Sequence, residues 1–342
     1  MNDMVRVCVI GVGRAGMIHA RNYNGAVPGA RLVALCDPFE ENLRNAADEL
    51  GIDRTYTNYQ DVMAAPDIDA VVVVTPTGLH CQIVKAAAAA GKHVFCEKPM
   101  AASAEECDQM IEACARAGVK LQLGFMRRFD KGFRRAKELV AAGEIGDVTL
   151  IKSLTHGPSE PKEWMFDVRK SAGPIGEVNS HDFDTLRWYA GSEARMIHAI
   201  GRNFRSRERA AEYPEFYDTC AVLLEFDNGI LGMVDGAQYV QYGYDARAEI
   251  LGTRGNICVG TERNDSVTVA KAGMRLSADA VPSWRTLFKD AYAEEAKSFV
   301  RCIQEDLEPE VTGHDGKMAL ILVREGLRSL LEHRPIEIEE QA

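Results

Sequence analysis

Val5-Arg6-Val7-Cys8-Val9-Ile10-Gly11-Val12-Gly13-Arg14-Ala15-Gly16 is the stretch on which the fold turns. A β-branched run passes straight into G-x-G-x-x-G, and a helical pattern follows through Met17, Ile18 and Ala20. Gly11 suits a tight turn, Gly13 lets backbone approach a pyrophosphate, and Gly16 permits close helix-strand packing. Arg14 and Ala15 complete the loop that would face the phosphates. A plain tight turn satisfies the glycines equally well, so the next strand has to discriminate. That strand, residues 31–36, ends at Asp37, 21 residues after Gly16. A carboxylate there accepts hydrogen bonds from adenosine ribose hydroxyls and repels a 2′-phosphate. Pro38, Phe39 and Glu40 supply no cation to hold such a phosphate, which favours NAD over NADP. Asp37 also suits the N-cap of a helix over 40–50, and the two roles are compatible.

Outward from this loop, strands alternate with helices: a helix at 60–64, a buried strand at 70–74, a helix at 79–90 closed by Gly91, and a strand at 93–96. Ser103-Ala104-Glu105-Glu106 is a capping box that opens a helix to 117, and Gly118 ends it before a strand at 120–123. Such alternation predicts an α/β Rossmann domain with a doubly wound parallel sheet over residues 1–124. Thr75-Pro76-Thr77 falls at the carboxyl edge of that sheet, where ligands of these folds bind, and His80 follows one turn later. As a lone histidine it also suits a structural or capping role. Cys96-Glu97-Lys98-Pro99 reaches the same edge, and Pro99 restrains the launch point of the Lys98 side chain. Glu97 and Lys98 read equally as a surface ion pair at a strand end.

Beyond Gly124 the pattern changes. A basic amphipathic helix spans 129–142, and β-rich runs follow at 148–154, 196–204, 219–226, 230–240, 247–251 and 267–271. Asp227-Asn228-Gly229 is a hairpin turn signal between two of them. Two helices, 288–304 and 316–332, and an edge segment at 335–338 complete an α+β domain over 125–342, a large, mostly antiparallel open sheet flanked by helices. Within it, Glu177 and His181 stand four residues apart in a helical pattern, which would place a carboxylate on the same face as the imidazole it orients. They could also ligate a metal, yet no Cys/His spacing supports a metal site.

Composition bounds the rest. The 342 residues are 46% hydrophobic and 27% charged, ordinary for two globular domains. A formal net charge of −11 argues against a nucleic-acid or anionic-membrane partner. The arginine cluster at 202–209 alternates with polar and acidic residues, as a solvated loop does. Nine cysteines without a C-x-x-C pair read as reduced core thiols of a cytosolic protein. No basic segment precedes the first apolar run, and no apolar stretch approaches the ~20 residues of a bilayer span, so a cytoplasmic protein is expected.

Together the glycine loop, Val74-Thr75-Pro76, Cys96-Glu97-Lys98-Pro99 and Gly124-Phe125-Met126-Arg127-Arg128-Phe129-Asp130 resemble the Gfo/Idh/MocA dehydrogenases, and among them the inositol 2-dehydrogenases. Likeness runs through 173–184, 242–245 and 312–317, essentially the whole chain. The resemblance implies that Lys98 sits beside the nicotinamide and the reacting hydroxyl, that His156 lies near the substrate, and that the second domain mediates dimers or tetramers. Where the family has aspartate and histidine, this chain has Glu177 and His181, so the carboxylate sits about one bond length further out. Met126, Arg127, Trp164, Tyr242 and Tyr244 complete the expected substrate contacts; the two tyrosines, two residues apart on a strand, would share one face, either as sheet packing or as hydroxyl donors to a polyol. The loop 157–176 is long enough for a lid.

The chemistry so read is NAD-dependent oxidation of a secondary hydroxyl of a cyclic polyol or sugar to a ketone. Lys98 would stabilise the developing alkoxide, and His181, oriented by Glu177, would accept the proton. A tether from Glu97 to Lys98 would oppose lowering of the lysine's proton affinity. An aldose or deoxysugar dehydrogenase, a ketone reductase using NAD(P)H, and a cofactor-binding regulator without turnover are the competing readings.

Overall fold

The computed structural model describes residues 4–339. Two compact units divide the chain, the first comprising residues up to Phe129 together with Asp290–Leu320, the second Asp130–Lys289 and the residues from Ile321 onward.

The first unit is built on six parallel strands, β1 (Val5–Ile10), β2 (Ala30–Cys36), β3 (Thr55–Tyr56), β4 (Ala70–Val73), β5 (His93–Glu97) and β6 (Leu121–Gly124). Their spatial order is β3-β2-β1-β4-β5-β6, so the order reverses between β1 and β4. Alternation along each strand feeds two cores. Cys8, Ile10, Val71, Val73, Val94 and Cys96 point to one face; Val7, Val9, Leu32, Val72 and Phe95 point to the other. That second face is closed by Ala296, Phe299 and Val300 of the helix Lys289–Gln304. A boundary at 124/125 followed by one uninterrupted domain therefore does not hold. The break falls at Phe129, and residues 290–320 join the first unit, where Phe299 stands edge-on to Phe95 at 5.9 Å between ring centroids.

The second unit carries β7 (Val148–Gly157), β8 (Ala194–Arg202), β9 (Thr219–Phe226), β10 (Leu231–Gln238), β11 (Asp245–Gly252), β12 (Gly255–Gly260), the small pair β13 (Val269–Lys271) and β14 (Arg275–Ser277), and β15 (Ile336–Glu337). Seven of these form one sheet, β12-β11-β7-β10-β9-β8-β15, antiparallel except where β10 runs alongside β7. The turn Asp227-Asn228-Gly229 closes the β9-β10 hairpin, with Gly229 at φ +84°. On β7 the residues Ile151, Ser153 and Thr155 are buried, and the helix Ser180–Ala190 packs on this strand. The intervening Lys152, Leu154 and His156 are only half-buried. β12 was not foreseen, being short and bounded by glycines. Eight of the nine cysteines are buried thiols, and Cys258 on β12 is exposed. Among the described residues no helix is long and apolar enough to cross a membrane.

Candidate active site

The carboxyl edge of the first sheet is a connected set of loops. A Cβ on Gly11, at φ +92°, would come within 2.5 Å of the Val74 carbonyl, and one on Gly16 within 1.8 Å of the Gly11 carbonyl. Both glycines are thus demanded by the protein's own packing. Gly13 differs: a Cβ there meets nothing within 4 Å, so its bareness serves open space in front of the loop. Arg14 is exposed and Ala15 half-buried beside it. Asp37, 5% exposed, accepts the Val12 amide through Oδ2 (2.9 Å) and the Phe39 amide through Oδ1 (3.0 Å). It therefore stiffens the glycine loop, while the N-cap of the helix Glu40–Leu50 falls to Phe39. A carboxylate has about four lone-pair sites, which leaves acceptors for ribose hydroxyls. Thr75 Oγ1 is buried and has no hydrogen-bond partner among the described residues. An open glycine, an acidic β2 end and an orphaned hydroxyl fit the dinucleotide read from the sequence. Pro76 is exposed and Thr77 begins a short 3-10 turn, Thr77–Leu79.

His80 occupies a place different from the one expected of a cofactor contact. It is 1% exposed, with Nε2 2.8 Å from the Thr75 carbonyl oxygen and Nδ1 3.0 Å from that of Pro99. Both ring nitrogens are taken by backbone, so His80 ties the Thr75 loop to the turn that carries Lys98. Burial holds its pKa below the ordinary value, outweighing the pull of the carbonyls. Glu97 ends β5 and its Oε2 accepts the Lys98 backbone amide at 3.0 Å. The tether thus runs to the backbone of Lys98. The Lys98–Pro99 peptide is cis, and the Lys98 side chain is half-buried. Glu97 Oε1 lies 2.8 Å from Nε2 of His19, a residue that the sequence reading passed over. Its signal was there: a histidine three positions past Gly16 on a helix face that has to be buried. Met126 and Arg127, expected to face a cleft, are 2% and 1% exposed in a 3-10 turn, Met126–Phe129.

In the second unit the helix expected to carry Glu177 and His181 on one face is broken. One short helix, Gly173–Glu177, ends there, and another, Ser180–Ala190, starts after Val178 and Asn179. The two residues thus fall in separate short helices, although Val178 and Asn179 between them keep right-handed helical dihedrals. At the interruption Asn179 Nδ2 donates to Asp182 Oδ2 at 2.8 Å. Asp182, fully buried, also accepts Ser153 Oγ at 2.5 Å and Thr155 Oγ1 at 2.6 Å, both from β7. His181, 7% exposed, is held in the first turn of a helix pinned to the sheet by its neighbour.

Other expected contacts disperse. Thr155 and His156 are successive residues on β7, so His156 points away from the face that Asp182 grips. Its Nδ1 hydrogen-bonds the Tyr242 hydroxyl, and its Nε2 lies 3.2 Å from Asp235. Burial, then Asp245 and Asp235, push the Tyr242 hydroxyl pKa up. Tyr242 and Tyr244 do not share a face. Both precede β11, and Gly243 at φ +113° breaks the alternation between them. Tyr242 is 50% exposed, whereas Tyr244 is buried against Phe288. Trp164 lies half-exposed in a 3-10 turn, Glu163–Met165, within the long loop.

Comparison with known proteins adds an independent line. Residues 5–125 match the oxidoreductase family with NAD-binding Rossmann fold, and residues 133–258 match the Gfo/Idh/MocA C-terminal domain. Myo-inositol 2-dehydrogenase of Thermotoga maritima is 35% identical, over 98% of this chain and 99% of its own. The scyllo-inositol 2-dehydrogenase (NAD(+)) of Bacillus subtilis is likewise 35% identical, over 99% and 98%. The crystal structure of scyllo-inositol dehydrogenase from Lactobacillus casei with bound NAD(H) and scyllo-inositol superposes with a TM-score of 0.90 at 29% identity, covering 98% of this chain and 99% of that one. With its NAD-binding Rossmann domain and its mixed second sheet, the chain belongs to the Gfo/Idh/MocA family of oxidoreductases.

Proposed function

We propose that this protein oxidises a secondary hydroxyl of a cyclic polyol of the inositol class to a ketone, with NAD as the hydride acceptor. The observation that carries this reading is the near full-length similarity to inositol 2-dehydrogenases in a chain that places Lys98 on the edge shared with the glycine loop. When bound, NAD takes up the hydride. The chain's own residues have three tasks. Gly11, Gly13, Asp37 and Thr75 hold and orient the dinucleotide. Lys98 hydrogen-bonds the reacting hydroxyl and stabilises negative charge as it develops on oxygen. His181 in the second unit is the proton acceptor, its backbone fixed by the anchoring of the neighbouring Asp182. The protein is a cytoplasmic homo-oligomer on this reading, and its partner is the small polyol.

Turnover of a panel of inositol isomers and aldoses with NAD and with NADP tests the assignment. Myo- or scyllo-inositol with NAD should be the best pair. Lys98→Met should lower kcat by about 10³-fold while NAD affinity stays within about threefold. A Lys98→Met enzyme with normal turnover would sink the mechanism, and preference for a free aldose would sink the substrate class.

A further inference from the structure

His19 lies on the helix Gly16–Arg21, directly behind the glycine loop, and is 1% exposed. Its ring centroid stands 5.0 Å from that of Phe95 and 5.6 Å from that of Tyr292, so the imidazole is enclosed by aromatic surface. Nε2 is 2.8 Å from Glu97 Oε1, and Nδ1 has no partner among the described residues. With no acceptor at Nδ1, the proton is assigned to Nε2, which donates to the carboxylate. The other oxygen of Glu97 accepts the Lys98 amide at 3.0 Å. Space for this carboxylate is reserved on the adjoining strand. Gly124 pairs with Glu97, and a Cβ there would come within 3.0 Å of the carboxylate. A buried carboxylate is costly unless hydrogen-bonded, and His19 meets that need as the one donor to Oε1 among the described residues.

We propose that His19 is a positioning residue for Lys98. The relay His19 Nε2–H to Glu97 Oε1, then Glu97 Oε2 to Lys98 N–H, fixes the start of the lysine side chain relative to the helix that follows the glycine loop. The proposal rests on the reading of Lys98 as the group that meets the reacting hydroxyl. Its logic is geometric: a displacement of about 1 Å at a reacting group can cost about 10²-fold in rate, and a lysine on a turn needs its backbone held.

The test compares His19→Phe, which keeps a ring among Phe95 and Tyr292 but removes the donor, with His19→Gln, whose amide nitrogen reaches the position of Nε2. Kinetics are measured on the full-length protein with NAD and myo- or scyllo-inositol. NAD binding is measured separately by calorimetry without polyol, and histidine protonation by ¹⁵N spectra. His19→Phe should lower kcat by about 10- to 100-fold with the NAD dissociation constant within about threefold of wild type. His19→Gln should recover kcat to within about fivefold, and the ¹⁵N signal it removes should belong to an Nε2-protonated ring. Three results overturn the proposal: normal kcat in His19→Phe beside an inactive Lys98→Met, equal impairment of the two His19 variants, or parallel loss of NAD affinity and kcat. Normal turnover by Lys98→Met removes the Lys98 reading and this proposal together, so the two failures are distinguishable.

Discussion

His80 joins the Thr75 loop to the Lys98–Pro99 turn through one imidazole, and that makes the sheet edge sensitive to acid. Burial lowers its pKa from the ordinary 6.5, and His93 on β5 is lowered for the same reason, helped by Lys120. Below pH 6.5 the unfolded chain takes up protons at these positions while the native protein resists. The unfolded state then binds more protons, so stability is fully present above about pH 6.5 and is lost as pH falls toward the native pKa values. Melting temperature should therefore decline between pH 6.5 and 5. His80→Gln, which keeps a donor for the Thr75 carbonyl, should flatten part of that slope and leave the share due to His93. An unchanged slope in the variant would mean that His80 titrates alike in both states.

At the scale of elements, Asp182 decides where a helix begins. Its carboxylate takes hydrogen bonds from Ser153, Thr155 and Asn179 in a fully buried position, and none of these three donors is charged. Removing it strands the donors, each costing about 1–3 kcal/mol when left unsatisfied, offset where hydroxyls rotate to new acceptors. Asp182→Ala should destabilise the protein by about 2–4 kcal/mol in urea unfolding. It should also lower turnover by freeing the helix turn that carries His181. A loss below about 1 kcal/mol would show that the anchor is replaceable. The same residue shows what was legible in advance. The strands of the Rossmann unit and the β9-β10 hairpin could be read because β-branched runs, glycine stops and Asp-Asn-Gly are local signals. The break at Val178 and Asn179 could not, because the Asp182 carboxylate beside it meets strand residues 27 and 29 positions away in sequence. Tyr242 and Tyr244 failed for a related reason: period-2 reasoning assumes a strand, and Gly243 at φ +113° lies just before one begins. Gly11 and Gly16 were accessible because their close approach to each other is set within the motif. For His19 only its place on a helix face bound for burial was legible, because its partner Glu97 is 78 residues on.

For the whole molecule, the nucleotide-binding unit is assembled from two distant parts of the chain. Local patterns place the helix Lys289–Gln304 after the second sheet and offer no hint that it returns to β1 and β5. Contact tells otherwise: Ala296, Phe299 and Val300 pack with Val7, Val9, Val72 and Phe95 as one core. This core lies beneath the edge where the glycine loop and Lys98 stand, so its integrity bears on NAD binding. Phe299, fully buried and edge-on to Phe95, is the residue through which to test this. Phe299→Ala should cost about 3–5 kcal/mol, as large-to-small changes in a tight aromatic core do. Hydrogen exchange should rise in β1 and β5, and NAD should protect those amides less than in wild type, although residue 299 lies far outside the stretch that reads as a Rossmann domain. If exchange rises only within 290–304 and NAD affinity is unchanged, the helix is a cover that the sheet can do without, and the unit is complete by residue 129.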